Sequence, residues 1–95
     1  MTQAAVKFNE RQAHWAGEGL SGRAVYDRLA ADHELPAFFD EGDVAAIAGL
    51  STHAIKARRA RGMRPDFLKL STRNVRYPRE AVCTWLADMF KAQAA

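Results

Sequence analysis

Between Ala4 and Ala16 the apolar positions Val6, Phe8, Ala13, Trp15 and Ala16 recur at a loose helical spacing, and Gly17 and Gly19 break the run. Ser21 is placed to cap a second helix reaching about Asp32, with Ala24, Val25, Leu29 and Ala31 inward and Tyr26 on the flank. Leu35-Pro36 ends that run. After Phe38 and Phe39, the acidic residues Asp40, Glu41 and Asp43 sit where a helix start favours negative charge. A short helix from about Asp43 to Ala48 follows, with Val44 and Ile47 inward, and Gly49 stops it. Ser51 caps the next helix, which runs from Thr52 to about Arg61 and ends at Gly62, a natural left-handed residue. From Phe67 the period drops to two. Residues 67–70 and 75–77 read as strands around the polar turn Ser71-Thr72-Arg73-Asn74, a β-hairpin. Pro78 opens a last helix whose stripe is Val82, Trp85, Leu86, Met89 and Phe90, and residues 91–95 are expected to fray.

These elements predict a mainly α fold with a small β-hairpin, an α+β chain. Its 95 residues, 48% hydrophobic and 26% charged, suit one small domain, at most with an appended arm. A lone cysteine, Cys83, excludes an internal disulfide framework and a cysteine-rich zinc site, fits a reducing cytoplasm, and reads as an inert small hydrophobe. No apolar run nears the roughly 18 residues of a membrane span, and the N-terminus has no signal-peptide pattern. His14, His33 and His53 show no ligand spacing with one another or with Cys83, so no metal is expected. There is no phosphate-cradling glycine loop, nucleophile elbow or carboxylate pair for acid–base chemistry. The expectation is a binding protein without a cofactor, not an enzyme.

Charge sharpens that expectation. The formal net charge of +3 hides a division: residues 1–43 carry 4 basic and 8 acidic side chains, residues 44–95 carry 10 basic and 3 acidic. Such asymmetry points to a polyanion-binding surface on the second segment. The order helix, tight turn, helix, hairpin, helix over residues 39–90 is the layout of a helix-turn-helix with a wing. In its turn, Ala45 allows close helix crossing, Gly49 takes the bend, Leu50 and Ile55 fill the wedge, and Ser51 caps the second helix.

The string Asp43-Val44-Ala45-Ala46-Ile47-Ala48-Gly49-Leu50-Ser51, then Ile55-Lys56, Arg59, Gly62, Pro65, Leu68-Lys69-Leu70, Val75-Arg76-Tyr77 and Val82-x-x-Trp85-Leu86, resembles the excisionase and AlpA-type small DNA-binding proteins. Their winged helix is related to that of the MerR regulators. The resemblance spans about the C-terminal 55 residues. The family commonly has Thr at the position of Ala54 and an aromatic at that of Arg58. It implies a winged helix-turn-helix over residues 37–90 that binds double-stranded DNA, with the second helix in the major groove and the hairpin in an adjacent groove or on the backbone. Many relatives are recombination directionality factors: they bind and bend DNA near an attachment site of a mobile element and help an integrase excise it. Others are small transcription regulators. A basic adaptor docking an acidic protein is the reading from a different class.

Taking Ile55 as inward, a 100° step places His53, Lys56, Ala57 and Ala60 on the outer half of the second helix, with Thr52 at its start. Thr52, His53, Lys56 and Ala57 are therefore the candidates for base contact. Lys56 suits guanine O6 or N7 and Ala57 a thymine methyl. Ser51, Arg58, Arg59, Arg61 and Arg64 are candidates for phosphate, which gives affinity and not sequence choice. Helix-end arginines also satisfy terminal carbonyls. Arg73 and Asn74 fall at the wing tip, where arginine suits a narrow A·T minor groove, and Asn74 equally suits a turn. Arg76 lies mid-strand and Phe67, Tyr77 and Trp85 read as core.

Residues 1–36 fall outside the resemblance and form a helical arm, serving either oligomerisation or core covering. Its 16–25 segment faintly echoes the 48–55 turn, but its acidic surroundings disfavour DNA contact. An acidic arm against a basic neighbour would give head-to-tail self-association along DNA. Deleting the arm would then leave single-site binding and abolish cooperative loading, whereas an arm packed on its own domain would make deletion destabilising.

Overall fold

The computed structural model describes residues 2–91; the expected fraying of the tail falls, beyond Lys91, outside the described residues. The described residues form a mixed α+β fold of five helices and a three-stranded antiparallel sheet. The helices are α1 (Gln3–Gly17), α2 (Arg23–Ala30), α3 (Glu41–Ala48), α4 (Thr52–Ala60) and α5 (Arg79–Met89). The strands are β1 (Phe38–Phe39), β2 (Leu68–Ser71) and β3 (Asn74–Pro78), in the order β1-β3-β2.

Local chemistry sets the helix ends. Thr2 caps α1 by accepting the Ala5 N–H at 3.1 Å. Gly22, not Ser21, occupies the N-cap position of α2, and Ser21 is exposed outside the helix. α3 starts two residues before the expected Asp43. Asp40 accepts the Asp43 N–H at 2.8 Å while the Asp43 carboxylate accepts the Asp40 N–H at 3.1 Å, a reciprocal box that draws Glu41 and Gly42 into the first turn. Gly49, at φ 72°, ends α3 in the left-handed region. Gly62, at φ 68°, does the same after α4: its N–H reaches the Arg59 carbonyl at 3.1 Å and that of Met63 reaches the Arg58 carbonyl at 2.9 Å.

The hairpin pairs Leu68 with Arg76 and Lys69 with Val75, shifts register, and closes on Ser71 and Asn74 around Thr72 and Arg73. Phe67 precedes the strand and packs beside Tyr77. β1, which the apolar pattern does not announce, pairs Phe38 with Pro78 and Phe39 with Tyr77. Pro78 is therefore the end of β3 as well as the cap of α5.

One core runs through all of this. Phe8, Val25, Leu29 and Leu35 from the first 36 residues pack with Phe39, Val44, Ile55, Tyr77, Val82 and Trp85. The expected stripe of α5 holds at Val82 and Trp85 but not at its end: Met89 and Phe90 are about half exposed, while Cys83 and Ala87 are buried. The reason is that α5 is covered on one side by α2 and on another by the sheet, and its last turn runs past the core to Gly22. Two buried polar residues take part in this packing, Arg79 joining α5 to the first 36 residues and Asp32 joining α1 to the end of α2. Arg79, 8% exposed, donates to the carbonyls of Ala30 (2.9 Å) and Leu35 (3.0 Å). Asp32, 6% exposed, accepts from Arg11 Nε at 2.7 Å, Trp15 Nε1 at 2.9 Å and the Glu34 N–H at 2.9 Å.

Candidate nucleic-acid interface

The turn at Gly49 and Leu50 lets α4 leave α3 at once, and Ser51 Oγ accepts the Ala54 N–H at 3.0 Å. Ser51 is thus occupied as a cap. With Ile55 wholly buried, Thr52, His53 and Lys56 are exposed and Ala57 is half-buried. The start of α4 faces the hairpin across a groove of about 400 Å³. Thr52 and Lys56 line one wall, Arg73, Val75 and Arg76 another, and Asp40, Glu41 and Gly42 of the α3 start close the corner with Thr2. Four of the residues singled out from the sequence, Thr52, Lys56, Arg73 and Arg76, therefore share one concave surface. Asn74 is exposed at the hairpin turn beside it.

The other arginines divide by partner. Arg58 Nε donates to the Arg64 carbonyl at 2.7 Å, and its guanidinium lies 5.1 Å above the Trp85 ring. Arg59 pairs with Glu41 at 3.2 Å and lies over Phe67. Arg64 pairs with Asp88 at 2.7 Å, a carboxylate shared with Arg23 at the same distance. Hydrogen bonds first from Arg64 and then from Arg23 hold Asp88 below the usual carboxylate range. Among the described residues Lys56, Arg61 and Arg73 form no ion pair, and Arg76 donates only to the Val75 carbonyl at 3.0 Å.

Glu41 is more than helix-start charge. Its Oε2 accepts from Arg59 Nε at 3.2 Å and from the Tyr77 hydroxyl at 3.4 Å, so one carboxylate ties α3 to α4 and β3. Burial pulls the Arg59 guanidinium down, and the hydrogen bond and charge of Glu41 more than reverse it. Burial, followed by the charge of Glu41, holds the Tyr77 hydroxyl above its ordinary value. No sequence signal announced this triad, because its members lie 18 and 36 residues from Glu41.

Among the described residues there is no group of three His, Cys, Asp or Glu side chains able to hold a metal ion, and no helix is long and apolar enough to cross a membrane. The chain matches no protein-family model, no curated protein and no solved structure.

Proposed function

We propose that the chain is a sequence-specific double-stranded-DNA-binding protein of winged helix-turn-helix form. In this reading α3 and α4 are the helix pair, the β2–β3 hairpin is the wing, and α1–α2 are the N-terminal extension. The observation that carries it is the convergence of Thr52 and Lys56 on α4 with Arg73 and Arg76 on the hairpin around one groove. A major groove about 12 Å wide admits a helix. α4 offers it an exposed N-terminal face with a hydroxyl, an imidazole and an unpaired ammonium. Lys56 reaches guanine, Ala57 a thymine methyl, and Arg73 the minor groove or backbone beside it. Arg61 and Arg76 supply phosphate contacts, whereas Arg58, Arg59 and Arg64 hold the fold. No catalytic group and no cofactor takes part.

Within this reading the role is that of an excisionase, which binds and bends DNA near an attachment site so that an integrase can excise a mobile element. That part is supported by the resemblance of residues 43–86 and not by the groove. The test of the DNA reading is selection of a preferred duplex from a random pool, followed by anisotropy titrations over a salt series. With Arg61 and Arg76 on phosphate and Arg73 on or beside the backbone, log K is expected to fall against log salt with a slope of about −2 to −3. Absence of binding to any duplex would leave the basic face to an acidic protein partner.

A further inference from the structure

We infer that Glu41 is a specificity-determining residue of this interface: it keeps a negative charge in the groove beside Lys56, Arg73 and Arg76 and withholds Arg59 from phosphate. The inference rests on the DNA-binding reading. Three observations carry it. Glu41 lines the same groove as those cations. Its Oε2 takes the Arg59 guanidinium, and both side chains are largely covered, at 18% and 25% exposure. The hydroxyl of Tyr77 donates to the same oxygen, so the carboxylate cannot swing away without giving up contacts to two elements. Asp40, on the same rim, is committed to capping α3.

Non-specific binding is almost wholly electrostatic and samples many registers of the duplex. In some of these a phosphate would meet the corner that Glu41 occupies, and like charge there is unfavourable. In the preferred register the base contact of Lys56 fixes the DNA backbone on Arg73 and Arg76, away from that corner. A fixed carboxylate therefore costs random sequence more than the preferred site, which is discrimination by repulsion.

Glu41→Gln removes the charge and turns one carboxylate oxygen into an NH2 donor, which weakens the hold on Arg59 while leaving one carbonyl oxygen in place. Its affinity for random duplex is expected to rise about two- to fivefold, with a smaller change at the preferred duplex, and its salt slope to steepen by up to about 0.9 as Arg59 gains access to phosphate. Arg59→Gln is expected to keep the wild-type slope. The inference is overturned if Glu41→Gln leaves discrimination and slope at wild-type values, or if Arg59→Gln flattens the slope by about 0.9, which would make Arg59 a phosphate contact. Should Glu41→Gln fail to melt cooperatively, the Arg59→Gln slope decides alone. A wild-type chain that binds no duplex removes the underlying reading as well, an outcome distinct from wild-type binding with unaltered variants.

Discussion

Asp32 shows how much of this small molecule depends on single buried polar groups. Burial alone would raise its pKa, but the Arg11 hydrogen bond, the Glu34 N–H and Trp15, together with the charge of Arg11, outweigh it, and the carboxyl sits below its usual value. A depressed native pKa means stability that is complete above the ordinary aspartate value near ~3.9 and is lost as pH falls through the native one. Asp32→Ala is expected to cost about 3 kcal/mol at neutral pH, because it strands Arg11 and the Trp15 N–H in largely covered positions. Urea unfolding at neutral pH and again below pH ~3 checks both points: the gap between wild type and variant should shrink in acid. Cys83 gives the opposite sign. Burial pushes its thiol up to about 12, so the folded state loses stability as pH rises above the unfolded thiol value, and thiol reagents should label it only on global unfolding. In the proposed interface, Lys56→Ala is expected to cost about 1–3 kcal/mol at the preferred duplex and to relax base preference, which repeated selection from a random pool measures. The exposure of Lys56 was legible in the sequence because helical phase against Ile55 sets it. The ion pairs of Arg59 and Arg64 were not, because their carboxylates arrive from elements 18 and 24 residues away.

At the scale of elements, local chemistry sets most boundaries, but Ser21 does not cap α2 and the Asp40–Asp43 box starts α3 two residues earlier than the apolar pattern implies. Gly49 and Gly62 end their helices in the left-handed region because no side chain there opposes it, and the polar turn between two short alternating runs gives the hairpin. β1 was invisible because two residues carry no period. Phe38 and Phe39 become a strand only through β3, about 40 residues later, and that pairing also makes Pro78 a strand end. Nothing lies within 4 Å of a Cβ built on Gly62, so Gly62→Ala tests the backbone alone. Its cost should be about 1–2 kcal/mol, read from the melting temperature, with the Arg58–Arg64 closure beyond α4 loosened as a consequence. The hairpin makes a different prediction. Arg73 is exposed in a two-residue turn and has no ion pair among the described residues, so Arg73→Ala should leave the melting temperature unchanged while weakening binding to duplex DNA. If the variant instead melts early, the arginine is part of the turn and the wing loses its principal contact.

At the scale of the molecule, charge and packing divide the chain differently. The acidic first 43 residues and the basic remainder suggest a separable arm. The core does not follow that boundary. Phe8, Val25, Leu29 and Leu35 are buried against residues of α3, β3 and α5, and Arg79 at the start of α5 ties down the carbonyls of Ala30 and Leu35. The radius of gyration, 13.3 Å, is that of one compact chain of about 100 residues. Each large side chain withdrawn from its packed neighbours is worth about 1.5–3 kcal/mol, against a total of about 5–15 for a small domain. Removing residues 1–36 is therefore expected to leave a chain without a cooperative melt, and its failure to bind DNA would then say nothing about contacts made by the arm. Leu29→Ala in the full-length protein separates these effects. Leu29 is fully buried in the packing of α2, far in sequence from the groove residues, and its truncation should cost about 2–5 kcal/mol. Below its melting temperature the variant should keep the wild-type preference among duplexes, since the side chains lining the groove are untouched. A truncated chain that melts cooperatively and binds a single preferred site like wild type would instead show that α3, α4, the hairpin and α5 form a core of their own.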